Sequence, residues 1–439
     1  MGKATDDMKI ETKAIHGGND PDPAFGSTLP PIYQTAGYEF PDAKTAADRF
    51  ALKDFGPSYS RLTNPTVDAL ETRMAALDGG VGAIAAASGH AAQMLAYLPL
   101  VAPGQHIVAS NQIYGGSTSQ LKNTFPQHFG WKSTLVEPES ADNFERAITE
   151  DTRAMFLESV ANPGGAVIDI EAVARVAERY HIPLIVDNTV PTPYLLRPLD
   201  WGANVVIYST TKFMTGNGSS LGGAFVDGGN FDWGKDDRYP ALTEPCAAYH
   251  GVKFFEKFGN MAMYVYGKGV GQRDIGCSQQ AMNAFMTICG LETLHVRMQR
   301  HVENAQKVAE WLSKHDMVES VSYAGLPDSP FYELAKKYTP EGPGSLYTFD
   351  IKGGMEESAQ FLEGLKLFTM VANLGDARSL IIHPASTTHG QLSAEHRKTA
   401  KIGDGTMRIS VGLEHIDDIL ADLQRGFDAI GSSTMRKAG

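Results

Sequence analysis

Five short runs in the first half of the chain are almost wholly apolar, and stretches with helical spacing separate them. The runs are residues 83–87, 106–109, 154–157, 184–186 and 205–207. Between and before them, Val67, Leu70, Met74 and Leu77 share one helical stripe, and so do Val173, Val176, Ala177 and Tyr180. Strands that are apolar on both faces and alternate with helices predict an α/β fold, a mostly parallel sheet covered by helices on each side. Such sheets bind ligands at the carboxyl ends of their strands. The residues just after each run are therefore the candidates for chemistry.

Two strand ends carry reactive groups. The segment 183–189 (PLIVDNT) delivers Asp187, and the segment 205–213 (VVIYSTTKF) delivers Lys212 just before the small-residue loop 216–223 (GNGSSLGG). A lysine in a partly desolvated pocket loses its proton easily, and the neutral amine can form a Schiff base. A lysine for the aldehyde and a carboxylate for the pyridine nitrogen are what pyridoxal 5'-phosphate (PLP) asks of a protein, so the pair predicts that cofactor. Taken singly, each has a plainer reading as a surface lysine or a turn-capping aspartate. Three other strand ends invite the same weighing. Ser88-Gly89-His90 can form an anion cradle at a helix start, or an ordinary turn. Tyr114 can stack on a flat ring and pass a proton, or fill a core. Asn162 can donate to a cofactor oxygen, or start the turn enforced by Pro163.

At 439 residues the chain exceeds one ordinary core. The spacing predicts an arm over 1–60 with little core of its own, a cofactor domain over 61–260 and an α+β domain over 261–439. With 38 basic and 51 acidic residues, a net charge of −13 argues against nucleic acid and anionic membranes as partners. The three cysteines, Cys246, Cys277 and Cys289, form no C-x-x-C pair and predict buried free thiols in a reducing cytoplasm. The first twenty residues lack the apolar core of a signal peptide, and no run is long enough to span a bilayer. The segment 229–236 (GNFDWGKD) nearly spells a P-loop, but Asp236 stands where Ser or Thr must bind magnesium, and no strand is predicted before it. That counts against a nucleotide-binding regulatory protein. No histidine cluster suggests a metal; His383 and His389 are expected to be structural or pocket-lining.

Taken in order, these segments resemble the Cys/Met-metabolism family of PLP enzymes, which have the aspartate-aminotransferase-like fold. The matching runs are 59–66 (YSRLTNPT), the Ser88-Gly89 turn, Tyr114-Gly115, Asp187-Asn188-Thr189 and Ser209-Thr210-Thr211-Lys212. They continue through 290–294 (GLETL), 383–389 (HPASTTH) and 407–414 (MRISVGLE). The resemblance implies that Lys212 holds the cofactor and shuttles protons, that Asp187 pairs with the ring nitrogen, and that Tyr114 stacks on the ring. It assigns the phosphate to Ser209, Thr211 and the backbone of Gly89 and His90, and the cofactor's phenolate oxygen to Asn162. Tyr59 and Arg61 are implied to reach the neighbouring subunit's phosphate, with Tyr59 also at the substrate. Arg408 and Asn373 are implied to hold the substrate's α-carboxylate, where the plain reading of Arg408 is a salt bridge at a strand edge.

Within that family the chain is similar to the sulfhydrylases that act on O-acetylhomoserine. The glycine- and serine-rich loop 216–223, Tyr249-His250-Gly251 and Asn373-Leu374-Gly375-Asp376 favour that branch. Gly116 stands where methionine γ-lyases usually carry cysteine. The implied reaction replaces the γ-acetoxy group with sulfide, giving homocysteine; the alternatives are methionine γ-lyase and cystathionine γ-synthase. The implied assembly is a homo-oligomer, at least a dimer and expected to be a tetramer. Two positions depart from the branch: His90 replaces a usual glutamine, and Asn217 a usual histidine.

Overall fold

The computed structural model describes residues 7–388, 390 and 402–431. Its larger sheet has seven strands: β1 (Gly82–Ala86), β2 (His106–Ser110), β3 (Lys132–Val136), β4 (Thr152–Glu158), β5 (Leu184–Asp187), β6 (Val205–Tyr208) and β7 (Gly223–Asp227). They lie in the order β1-β7-β6-β5-β4-β2-β3. Strand β7 runs antiparallel to both neighbours, and the other pairs are parallel. Six carboxyl ends therefore share one edge.

Side chains alternate between two cores. Leu184, Val186 and Val206 face Leu70 and Met74 of helix Pro65–Asp78 and Val173 of helix Ile170–Arg179. Ile185, Val205 and Ile207 face the opposite layer, which includes Leu95 of helix Gly89–Tyr97, Phe254 and Met263. Apolar burial on both faces removes the period-2 alternation and leaves continuous apolar runs. The helix Pro65–Asp78 starts where the Asn64 side chain accepts from the N–H groups of Thr66 and Val67, with proline at its first position, and stops at Gly79 with φ 78°.

The second sheet contains β8 (Val318–Ser322), β9 (Leu346–Ile351), β10 (Thr369–Met370), β11 (Leu380–Ile382) and β12 (Thr406–Ser410), in the order β10-β11-β12-β9-β8. It is antiparallel except between β10 and β11. Helices Leu294–Leu312 and Ile416–Ala429 cover it through Val308, Leu312, Leu423 and Phe427. Leu294 and Met298, at the other end of the same long helix, belong to a core of the large sheet. One rigid element thus packs against both sheets.

The early residues form the helices Ile10–His16 and Ala43–Phe50. Arg73, fully buried, ties the first to the body by donating to the carbonyls of Gly17 at 2.7 Å and Ile15 at 3.0 Å. Farther along, Phe25, Phe50 and Phe55 are 95%, 72% and 63% exposed.

Some expectations change. β7 ends at Asp227, so a strand does precede the segment 229–236. The thiols are free but not buried: Cys246 and Cys277 are partly covered and Cys289 is exposed. His383 is structural, with its ring nitrogens bonded to Ser386 Oγ and the Asp404 carbonyl; His389 lies outside the described residues. Among the described residues there is no acid, histidine and cysteine group fit for a metal, and no helix is long and apolar enough to cross a membrane.

Candidate active site

A cavity of about 230 Å³ opens at the carboxyl edge of the large sheet, roofed by Ala372, Asn373, Leu374 and Arg408 from the second sheet region. Ten of the twelve residues singled out above line it: Gly89, His90, Tyr114, Asn162, Asp187, Ser209, Thr211, Lys212, Asn373 and Arg408. Tyr59 and Arg61 do not. They stand together elsewhere on the surface, the guanidinium 5.2 Å from the centre of the Tyr59 ring.

Lys212 Nζ donates to Asn373 Oδ1 at 2.5 Å. Burial, aided by repulsion from Arg408, brings the lysine down to about 8. A substantial fraction of the amine is then neutral near physiological pH. Arg408, on β12, is only 7% exposed. It donates to Asn162 Oδ1 and to the Asn373 carbonyl, each at 3.1 Å. Both partners are neutral, no acid pairs with it among the described residues, and burial lowers it to about 10. The salt-bridge reading of this arginine therefore does not describe it. A buried guanidinium without a carboxylate is an anion site.

Asp187 ends β5. Burial pushes its carboxyl up to about 6, while a hydrogen bond from the Thr189 N–H to Oδ1 at 2.9 Å opposes the rise. Thr189 Oγ1 in turn accepts from the Ser209 N–H at 2.8 Å, which locks the ends of β5 and β6 together. Behind them Asn188 donates to the Leu196 carbonyl and Tyr208 Oη, and Tyr208 donates to Asp78 at 2.6 Å. This buried network fixes both strand ends.

The turn after β1 fits an anion. Ser88 caps helix Gly89–Tyr97 by accepting from the Ala91 N–H. The first N–H groups of a helix lack intrahelical partners. A Cβ on Gly89 would stand 2.9 Å from Ser209 Cβ, so turn and strand end leave room for backbone only. Thr211 Oγ1 is already engaged, donating to the Gly222 carbonyl and accepting from its N–H. His90 packs its ring 5.4 Å from that of Tyr114, over Gly116; its buried Nε2 has no partner and burial keeps the ring neutral. A flat pyridine ring with a phosphate, an aldehyde and a ring nitrogen fits these groups: an anion cradle, an amine and a carboxylate face one cavity.

Among the lining residues not expected from sequence, Glu158 stands out. Glu158 ends β4 directly beside Asp187 in the strand register. It gives the same signal as Asp187, an acid closing an apolar run.

Residues 11–428 match the model of the family described as "Cys/Met metabolism PLP-dependent enzyme". The chain is 47% identical to the O-acetyl-L-homoserine sulfhydrylase of Leptospira meyeri, over 96% of this chain and 97% of that one. It is 41% identical to the homocysteine synthase of Schizosaccharomyces pombe, over 95% and 98%. A crystal structure of a putative O-acetylhomoserine (thiol)-lyase from Campylobacter jejuni, holding N'-pyridoxyl-lysine-5'-monophosphate, superposes with a TM-score of 0.93 at 38% identity, covering 96% of this chain and all of that one. With a cavity that fits the cofactor and a family match across nearly its whole length, the chain belongs to the Cys/Met-metabolism PLP-dependent enzymes.

Proposed function

We propose that this enzyme is an O-acetylhomoserine sulfhydrylase. It breaks the γ-carbon–oxygen bond of O-acetylhomoserine and forms a carbon–sulfur bond with hydrosulfide, giving homocysteine and acetate. The observation that carries the reading is a single cavity holding a buried, partly neutral lysine and a buried arginine with neutral partners only. Relatives named for this activity support it.

Lys212 would hold PLP, which would supply an electron-accepting ring for the substrate's α-carbon. Arg408 and Asn373 hold the α-carboxylate and so orient the substrate's α-hydrogen toward Lys212 Nζ. Displaced by the substrate's own amine, the freed Lys212 amine takes the α-proton and then moves a β-proton, which lets acetate leave from the γ-carbon. The Asp187 carboxylate keeps the ring nitrogen protonated. Tyr114, half exposed at the mouth, handles protons for the departing acetate and the incoming sulfur. Ser209 and the Gly89 and His90 N–H groups hold the phosphate, joined by Thr211 once its hydroxyl turns from the Gly222 carbonyl, and Asn162 contacts the phenolate oxygen.

In the same proposal the enzyme works as a homo-oligomer, at least a dimer and most simply a tetramer. Tyr59 and Arg61, at the end of the 1–60 arm, complete a neighbour's site. Its setting is a reducing cytoplasm, in keeping with three free cysteines.

Among the described lining residues the cations are Lys212 and Arg408, both committed, and His90 is neutral. A succinyl group would bring a second carboxylate that no uncommitted cation among these residues meets. Steady-state kinetics should therefore favour O-acetylhomoserine over O-succinylhomoserine by about a hundredfold in kcat/KM, the scale of burying a charge unpaired. Equal use of the two esters would contradict the reading.

A further inference from the structure

Glu158 is only 5% exposed, and the chemistry above gives it no part. Burial and the adjacent Asp187 push its carboxyl well above the usual range, so keeping an acid here is costly. A neutral apolar side chain would serve packing at lower cost. What an acid adds is two acceptor oxygens in a fixed fork, and both are used. Oε1 accepts from the Tyr114 N–H at 2.6 Å, and Oε2 accepts from the Asn162 N–H at 3.0 Å. Both donors belong to residues whose side chains line the cavity. Tyr114 enters from the loop after β2, where it precedes helix Gly115–Ser119 without a side-chain cap of its own. Asn162 follows β4 and accepts from Arg408 Nη1 at 3.1 Å. A continuous hydrogen-bonded path thus runs from Tyr114 through Glu158 and Asn162 to Arg408, a residue of the other sheet.

We infer that Glu158 is a positioning residue: its two oxygens set Tyr114 against Asn162 and, through Asn162, aim the Arg408 guanidinium at the substrate's carboxylate. The inference rests on the proposed reading of Arg408 as the carboxylate clamp. Without the fork, the Asn162 N–H loses its acceptor and Arg408 loses a fixed partner. The loss falls on ligands that carry a carboxylate and spares those that present an amine alone.

The test uses holoenzyme and two unreactive ligands followed by the cofactor's absorbance. L-norvaline has the α-carboxylate and no leaving group; n-butylamine is the same molecule without the carboxylate. In Glu158→Leu the dissociation constant for L-norvaline should rise about tenfold, the scale of one lost hydrogen bond to a charged group, with n-butylamine unchanged. Glu158→Gln, which keeps one acceptor, should show a smaller rise with the same selectivity, and it decides the matter where the leucine variant does not assemble. Unchanged L-norvaline binding, or equal weakening of both ligands, overturns the inference. Arg408→Lys separates the two levels. Selective weakening there but in neither Glu158 variant refutes the role of Glu158 alone. No selective weakening there refutes the clamp and this inference with it.

Discussion

In the proposed function Lys212 owes its reactivity to where β6 ends. Four residues past an apolar strand it is still enclosed, and burial with Arg408 nearby brings it to about 8. The nucleophile toward the cofactor's aldehyde is the neutral amine, whose share rises with pH until it levels above the folded-state value. Capture of PLP by the apoenzyme, followed by stopped-flow absorbance, should speed up with pH and flatten near 8 to 9. A rate still climbing toward the 10.5 of an ordinary lysine would mean the amine is not desolvated. At this scale the sequence is informative because strand-end chemistry is local: Asp187, Lys212 and Tyr114 each follow an apolar run. Arg408 is different. Its partners Asn162 and Asn373 lie far away in the chain, and only the family resemblance pointed to it; the fold brings them within 3.1 Å. Glu158 was legible by the same rule as Asp187, yet an acid that binds backbone N–H groups gives no cofactor pattern to match.

Among the elements, five strands of the large sheet could be read from sequence because both of their faces are buried. β3 could not, since as an edge strand it exposes Lys132 and Thr134 and carries no apolar run. β7 was hidden by the glycine-rich loop before it. That glycine content has a steric reason at the junction with the anion cradle. A Cβ on Gly223 would lie 2.1 Å from the Ser88 carbonyl oxygen and 2.5 Å from the Gly89 nitrogen. Because the clash is with backbone, no rotamer relieves it. Gly223→Ala should destabilise the apoenzyme by about 1–3 kcal/mol, the usual cost of overpacking, and weaken PLP binding by displacing the Ser88-Gly89 turn. Denaturant unfolding and cofactor titration check both effects. Normal stability and affinity would show that the turn and β7 are less tightly apposed than described.

For the whole molecule, two sheets share the helix Leu294–Leu312, and the candidate active site is lined by residues from both sheet regions. The mostly parallel α/β architecture was readable from alternating runs. The packing of that helix against both sheets was not, because a continuous helical pattern does not reveal a change of partner. The exposed Phe25, Phe50 and Phe55, with Tyr59 and Arg61 away from this chain's own cavity, motivate the shared-site proposal. Arg61→Ala and Lys212→Ala should each be nearly inactive alone. Mixed oligomers should regain activity, because some sites combine an intact Lys212 from one chain with an intact Arg61 from the other. Verified hetero-oligomers with no recovery would assign Arg61 to its own chain or to no site.

The proposed reaction is γ-replacement by sulfide at Lys212. Its most direct test is product stoichiometry from purified holoenzyme given O-acetylhomoserine and sulfide, with Lys212→Ala as the control. Homocysteine and acetate should form in equal amounts, with neither from the control. Release of 2-oxobutanoate and ammonia as the main products would make the enzyme a γ-lyase and contradict it.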